Sequence, residues 1–154
     1  MRRFFALLTL LSAALVAAAA ATATTPSPVS GTETITGGTA TVMRVADGNT
    51  FVANHVMGTI AGSYTGTFTA DYTAIVHPSG QTNVVGGTFT CVCTIEGRSG
   101  TITFRFEGSG TAAVSELHGE TIAGTAGLAD LHSNVDIQVI GPAITYAGTA
   151  HFDP

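Results

Sequence analysis

Two cysteines separated by one residue are the most conspicuous chemical group in this sequence. Cys91 and Cys93 lie in an alternating run that places both side chains on the same side of a strand. At strand spacing their Cα atoms are roughly 6.5 Å apart with parallel side chains, which is a poor geometry for a disulfide. No second Cys-x-Cys or His-x-His motif supplies further zinc ligands. We therefore expect buried thiols or a strained disulfide, and no metal.

The histidines do not form a catalytic pattern. They are scattered at positions 55, 77, 118, 132 and 151, and no Gly-x-Ser-x-Gly motif marks a nucleophilic serine. Turn and surface roles are therefore expected for most of them. His55 is the exception, because its phase with Phe51, Ala53 and Met57 would turn it inward.

Aromatic residues in phase with the apolar positions are the expected lining of a ligand pocket. Buried tyrosines usually hydrogen-bond a neighbour, and they can equally face a ligand. The carboxylates are predicted in turns or on threonine-rich faces, so the sequence names no catalytic residue and leaves enzymatic activity open. The candidate ligand-binding residues are His55, Tyr64, Phe68, Tyr72, Phe89, Phe104, Phe106 and Tyr146.

The elements that position these residues follow an N-terminal segment typical of a secretory signal peptide. Arg2 and Arg3 precede an apolar run from Phe4 to Ala21, and Ala21-Thr22-Ala23 is a small-x-small cleavage site. Residues 1–23 are therefore predicted to be a signal peptide that is removed on secretion to the extracellular space. The alternative is an uncleaved membrane anchor, which needs a similar length of about 20 apolar residues.

The remaining chain has the size and charge of one acidic extracellular domain. Residues 24–30 contain Pro26 and Pro28 and are predicted to be a flexible tether, followed by a single domain over residues 31–154. This part carries three arginines, no lysine and ten carboxylates, a net charge of −7. An acidic surface argues against nucleic acid or an anionic membrane as a partner. No motif indicates a cofactor, and no stable membrane insertion is expected after cleavage.

The clearest structural signal is a hairpin from Thr88 to Gly108. Two alternating runs place all their large apolar residues on one face. Pairing Glu96 with Thr101 around a Gly97–Gly100 loop would bring Cys93 opposite Phe104. The residues predicted on the buried face are Phe89, Cys91, Cys93, Ile95, Ile102, Phe104 and Phe106.

The whole domain is predicted to be all-β. Glycine and threonine punctuate short runs of β-branched and aromatic residues, including separate strands at Thr32–Thr36 and Thr39–Ala46. One compact turn is expected near Leu128–Leu131. About eight strands with turns between them indicate an antiparallel eight-stranded barrel, with a β-sandwich as the alternative. The barrel is favoured because a meander of long strands can close without an exposed edge.

A series of glycine-containing turn motifs runs from Val56 to Gly127. They are Gly62-x-x-x-Gly66-Thr67, Gly87-Thr88-Phe89, Gly97-Arg98-Ser99-Gly100-Thr101, Gly108-x-Gly110-Thr111 and Gly124-Thr125-Ala126-Gly127-Leu128. In these motifs the chain resembles a bacterial family of uncharacterised proteins that is grouped by fold with allene oxide cyclase and the plant dirigent proteins. The resemblance implies an eight-stranded antiparallel barrel with a central cavity.

The same resemblance implies two kinds of function. Allene oxide cyclases hold an unstable apolar substrate and steer its ring closure, and dirigent proteins orient phenolic radicals. The function predicted first is the binding of a small apolar molecule in the lumen of an exported barrel. The alternatives are an isomerase or cyclase of the allene oxide cyclase type, and a structural or cell-surface protein with a fully packed core.

Overall fold

The computed structural model describes residues 25–154, and the predicted signal peptide, residues 1–23, lies outside them. Each strand pairs antiparallel with the next, and β8 pairs with β1 to close a barrel. The predicted all-β, eight-stranded antiparallel barrel is therefore confirmed. No helix among the described residues is long and apolar enough to cross a membrane. The strands are β1 (Ser27–Ala46), β2 (Asn49–Gly62), β3 (Thr65–Val76), β4 (Gln81–Ile95), β5 (Arg98–Thr111), β6 (Val114–Gly124), β7 (Leu131–Ile140) and β8 (Ala143–Phe152). The one helical turn expected near Leu128–Leu131 is a 3-10 turn at Ala126–Leu128.

The strands are strongly staggered around the barrel. Following the pairing once around from Val45 of β1 leads back to Glu33 of the same strand, twelve residues away. Stagger, tilt and diameter are linked in a barrel, and eight strands enclose either a packed core or one small ligand. The stagger also limits the pairing of β1 with β8 to Ser27–Glu33, so residues 34–46 of β1 extend past the end of β8.

β1 is a single strand of 20 residues where two short strands were expected. Gly37-Gly38 does not end the strand, because a β-bulge between Ile35 and Gly37 absorbs the irregularity while pairing with β2 continues. β1 also begins at Ser27, so residues 27–30 pair with β8 instead of forming part of the predicted tether. The barrel therefore includes chain that its proline content suggested to be a linker.

The β4–β5 hairpin has the predicted faces and a different register. Its turn is the two-residue Glu96-Gly97, with positive φ at both positions (50° and 75°), as tight hairpins require. Cys93 lies opposite Gly100 and Cys91 opposite Ile102, so the predicted pairing around a longer loop was wrong. The partners differ from the predicted ones by four residues, and an even shift leaves every apolar side chain on the same face.

The buried side chains concentrate at one end of the barrel. We call the end that carries the β2–β3, β4–β5 and β6–β7 connections the closed end, and the opposite end the open end. Side chains at the closed end are 0–3% exposed, among them Tyr64, Ile102, Leu128, Leu131 and Phe152. Apolar side chains near the open end are 50–68% exposed, among them Ile35, Val42 and Val45.

Candidate binding site in the barrel lumen

Glycines opposite aromatic residues shape the inner wall. A Cβ atom at Gly87 would lie 2.7 Å from ring atoms of Phe106, so the ring lies directly against the glycine of the neighbouring strand. The shape of the wall therefore depends on the absence of a side chain at Gly87 and at two further glycines. Three such pairs face each other across strands: Gly31 and Tyr146, Gly58 and Phe68, Gly87 and Phe106.

Two tyrosines seal the closed end of the lumen. The Tyr146 hydroxyl accepts a hydrogen bond from the backbone N–H of Tyr64 (3.0 Å) and donates one to the carbonyl of Ala61 (3.3 Å). The Tyr64 ring packs edge-on against Phe104, with centroids 6.0 Å apart. Burial raises the pKa of Tyr64 to about 12, so its hydroxyl stays protonated. These contacts join the β2–β3 connection to β8 and close the barrel floor.

The Tyr64 hydroxyl itself has no hydrogen-bond partner within residues 25–154. The Ser133 hydroxyl donates instead to the carbonyl of Thr149 (3.0 Å) and leaves the Tyr64 hydroxyl unpaired. Tyr64 borders a void of about 20 Å³, which is room for about one water-sized group. An unpaired buried hydroxyl costs about 1–3 kcal/mol. The floor of the lumen thus carries one unused polar group.

The open end contains a larger cavity of about 290 Å³. This volume lies near the lower limit of typical small-molecule pockets, about 300–1,000 Å³. Its wall is mainly apolar and comes from most of the strands, with Val56, Phe68, Tyr72, Val84, Leu117 and Ile137 among the lining residues. Burial raises the pKa of Tyr72, which keeps its hydroxyl neutral. The cavity can accept a small apolar molecule.

Glu33 stands where the open cavity meets the small void. It borders both spaces, as do Phe89 and Phe106, and it is the acidic residue of their described lining. Its carboxyl group has no hydrogen bond or ion pair within residues 25–154. Burial raises its pKa from 4.5 to about 7, because a carboxylate loses hydration in an apolar wall. Near neutral pH this group can therefore either donate or accept a proton.

The prediction that no carboxylate faces inward was wrong for Glu33. Val29, Gly31, Glu33 and Ile35 alternate along β1 and share its inner face. Val29 is buried, Gly31 lies against the Tyr146 ring, and Glu33 and Ile35 line the cavities. The alternation is visible in the sequence. The inward position of Glu33 was nevertheless not predicted, because residues 24–30 were predicted to be a tether and because Glu33 lies between two threonines.

The structure divides the predicted aromatic residues between the two parts of the lumen. Phe68, Tyr72, Phe89 and Phe106 line the open cavity, and Tyr64, Phe104 and Tyr146 border the closed end. Phe68 and Phe89 stack at 4.6 Å between centroids, and Tyr72 meets Phe106 at 5.7 Å. The inward position of these seven residues is as expected, and their part in ligand binding stays a prediction.

His55 does not belong to the lumen. It faces outward on β2, and its Nδ1 lies 2.7 Å from Oδ1 of Asp71 on β3. The phase of β2 is set by the inward Val56 and the buried Ile60, so Phe51, Ala53 and Met57 share the outer face with His55. Other histidines also make surface contacts, with distances of 2.9 Å from His118 to Asp136 and 3.0 Å from His132 to Asp153.

Cys91 and Cys93 are free thiols on the inner face of β4, only 1% and 4% exposed. The bulge that a disulfide between them would need is absent from this part of the strand, since the irregularity of β4 in its pairing with β5 lies between Val84 and Gly87. A hydrogen bond with the Cys93 thiol and burial both raise the pKa of Cys91. Residues 25–154 contain no group of three or more His, Cys, Asp or Glu side chains that could hold a metal ion.

The lumen thus combines an apolar cavity with one acidic side chain, that of Glu33. Such a site can bind a hydrophobic molecule and orient one polar group of it at Glu33. A carboxyl group with a pKa of about 7 is also suited to proton transfer near neutral pH.

Comparison with known proteins extends the result for the fold. No family model matches this chain, and no curated protein matches it. A solved structure of a protein of unknown function from the DUF3224 family of Shewanella oneidensis MR-1 is similar, with a TM-score of 0.72 and 18% identity over 84% of this chain and 99% of that one. At this identity the similarity concerns the fold alone. The chain thus shares an eight-stranded all-β fold with a bacterial protein of unknown function.

Proposed function

We propose that this protein is an exported barrel that binds a small, largely apolar molecule through the open end of its lumen. The observation that carries the proposal is the cavity of about 290 Å³, walled by aliphatic and aromatic side chains and bordered by the single carboxyl group of Glu33. The packed closed end leaves the open end as the entrance. Neither nucleic acid nor a cofactor takes part in this function.

The position of Glu33 defines the expected ligand further. An apolar molecule without polar atoms would leave the carboxyl group unpaired in a dry site, which is unfavourable. A ligand with one hydroxyl or carbonyl group would pair with Glu33 while its hydrocarbon part contacts Phe68 and Phe106. We therefore expect a hydrophobic molecule with one polar end.

A second candidate function is an isomerase or cyclase of the allene oxide cyclase type. The observation in its favour is the pKa of Glu33, about 7, in a mainly apolar wall. Such an acid could protonate a carbonyl or ether oxygen of a bound substrate and take the proton back later. The resemblance in the glycine motifs points the same way, but binding requires fewer groups than catalysis.

Export is part of the proposal. Residues 1–23 have the charge and hydropathy pattern of a signal peptide, and the acidic remainder suits an extracellular protein. The N-terminal sequence of protein recovered from the culture medium of its host tests this directly. A start near Thr24 is expected, and retention of Met1 in the membrane fraction would contradict it.

Ligand binding is tested by native mass spectrometry of the purified protein, followed by thermal-shift measurements with hydrophobic alcohols, ketones and acids. A ligand at a hundred times its Kd stabilises the folded state by about 2.7 kcal/mol. Ala74→Phe should abolish this gain, because Ala74 lines the cavity. Thr69→Phe is the matched control, since Thr69 is exposed on the outer face of the same strand.

The outcomes separate the three functions. Stabilisation that Ala74→Phe removes and Thr69→Phe keeps supports binding. Conversion of a stabilising compound into an isomer, lost in Glu33→Gln, supports the enzyme instead. If no compound co-purifies and none stabilises the protein, the cavity does not bind an apolar ligand, and the structural role is favoured instead.

A further inference from the structure

The part of β1 that extends past β8 is an unpaired sheet edge. Residues 34–46 pair with β2 on one side, and within residues 25–154 no strand pairs with their other side. Natural edge strands are usually protected by proline, by charged side chains such as lysine, by β-bulges or by a covering element. This edge contains neither proline nor lysine, and its one charged residue, Arg44, lies over the ring of Phe51, 4.1 Å from its centroid. Four of its apolar side chains are 50–68% exposed: Ile35, Val42, Met43 and Val45.

The register of β1 with β2 makes this edge symmetric about Ala40. Bulges between Ile35 and Gly37 and between Val42 and Arg44 reset the phase twice. A two-fold axis at Ala40 exchanges Ile35 with Val45 and Gly38 with Val42, so the inward-facing positions of the edge map onto one another. The inward-facing residues of the edge are Ile35, Gly38, Ala40, Val42 and Val45.

We propose that residues 34–46 are a homodimer interface, in which a second copy of this chain pairs antiparallel around Ala40. An antiparallel pair of identical strands needs the same face pattern read in both directions, and this edge has it. The pairing would place the exposed Ile35 of one copy opposite Val45 of the other, which is a favourable cross-strand combination. No like charges meet, because Arg44 falls opposite Thr36. This inference is independent of what the lumen binds.

The size of the edge sets the expected strength of the dimer. Stable interfaces usually involve about 20–30 residues from each partner, and the edge offers about half of that number. We therefore expect a reversible dimer with a Kd in the micromolar range, about 1–100 μM.

Sedimentation velocity of the mature protein proposed above, residues 24–154, over a dilution series tests the proposal. Ala40→Lys and Ala40→Glu should each be monomeric throughout, because like charges would face each other at the two-fold axis. An equimolar mixture of the two variants should restore the dimer. Val92→Lys is the matched control, since Val92 is 63% exposed on β4, which is paired on both sides, and it should dimerise as the unchanged chain does.

Several results would overturn the proposal. A protein that stays monomeric at 100 μM and above, well beyond the upper end of the expected Kd, would contradict the dimer. Protection of the amides of residues 34–46 from hydrogen exchange in that monomer would show that another part of the chain covers the edge. A dimer that survives Ala40→Lys is formed elsewhere on the surface. Unchanged thermal unfolding midpoints of both Ala40 variants confirm that the barrel remains folded, as expected for an exposed position.

Discussion

The two ends of this barrel are built from the same kind of strand and serve different purposes. The closed end is filled by large side chains such as Leu128 and Ile102, both 0% exposed, and is sealed by the hydrogen bonds of Tyr146. The open end carries apolar side chains of which Ile35 is 50% exposed, and it surrounds a cavity of about 290 Å³. One end provides stability and the other provides accessible apolar surface.

The difference shows how one meander can combine a packed core at one end with an open cavity at the other. The 3-10 turn between β6 and β7 places Leu128 in the closed end, whereas the β5–β6 connection at the open end contributes only the small side chain of Ala112 to the cavity wall. Eight strands leave room for either side chains or a small ligand. Large strand residues such as Ile102, together with Leu128 from the 3-10 turn, fill the closed end and leave the cavity at the open end.

The largest expected effect is a loss of packing at the closed end. Phe104→Ala removes a ring that contacts both Tyr64 and Phe89, with centroids 6.0 Å away in each case, and should lower the free energy of unfolding by about 3–5 kcal/mol. Ile35→Ala at the open end should cost less than about 1 kcal/mol, because half of that side chain already contacts solvent. Urea unfolding of both variants measures the contrast. Equal losses would mean that the two ends are not distinct in packing.

The inner wall should be intolerant of small additions as well. Gly87→Ala would force the Phe106 ring away from the wall and is expected to cost about 1–3 kcal/mol. Gly80→Ala is not a neutral control, because Gly80 has a positive φ of 84°. The suitable control is Thr90→Ala, because Thr90 lies on the outer face of β4, the strand that contains Gly87. Thermal unfolding compares Gly87→Ala with Thr90→Ala. A neutral Gly87→Ala would show that the ring can move into the cavity.

The two tyrosines of the closed end should respond oppositely to loss of the hydroxyl group. Tyr146→Phe leaves the N–H of Tyr64 without its acceptor and should cost about 1–3 kcal/mol. Tyr64→Phe removes a hydroxyl that has no partner within residues 25–154, so it should be neutral or stabilising. Equal destabilisation by both changes would indicate that the Tyr64 hydroxyl has a partner in solution.

Glu33 should make the stability of the barrel dependent on pH. Its pKa is about 7 in the folded state against 4.5 as the ordinary value, so the folded state favours the protonated acid. The stability that protonation supports is complete below pH 4.5 and is lost as the pH rises through 7. When the pH is raised from 4.5 to 8, the free energy of unfolding of Glu33→Gln should therefore rise by about 1–2 kcal/mol relative to that of the unchanged chain, after allowance for partial solvent contact. Urea unfolding at both pH values tests this, and parallel pH profiles would contradict it.

The smallest effect is expected on the outer surface, away from both ends. Arg105 and Glu120 form an ion pair across β5 and β6 with side chains 66% and 43% exposed. Arg105→Ala should change the free energy of unfolding by less than about 1 kcal/mol, because water screens an exposed pair. If 1 M salt abolishes the difference in unfolding free energy between Arg105→Ala and the unchanged chain, the contribution of the ion pair is purely electrostatic.

Alternation predicted the faces of the strands well and their registers poorly. The buried face of the β4–β5 hairpin was correct because side-chain direction has a period of two along any strand. Its predicted pairing was wrong by four residues. A four-residue loop and the two-residue turn Glu96-Gly97 put the same side chains on the buried face, so alternation could not distinguish the two registers. Similarly, the phase of His55 was misassigned because Phe51 and Met57, which share its side, face outward on β2.

The candidate site was predicted in part. Aromatic residues in phase with the apolar face line the lumen, but Glu33 was missed because an isolated acid between threonines carries no signal of burial. Its position became clear only when β8 paired with Ser27–Glu33 and closed the wall around it.

The all-β class, the inward-facing aromatic residues and the compact turn near Leu128 could be predicted from the sequence, because they depend on local alternation and on glycine turns. The stagger that leaves residues 34–46 without a second neighbouring strand in residues 25–154, the division of the lumen into a closed and an open end, and the inward position of Glu33 could not. These features arise from closure of the barrel, which joins residues more than a hundred positions apart and sets a register that no local pattern encodes.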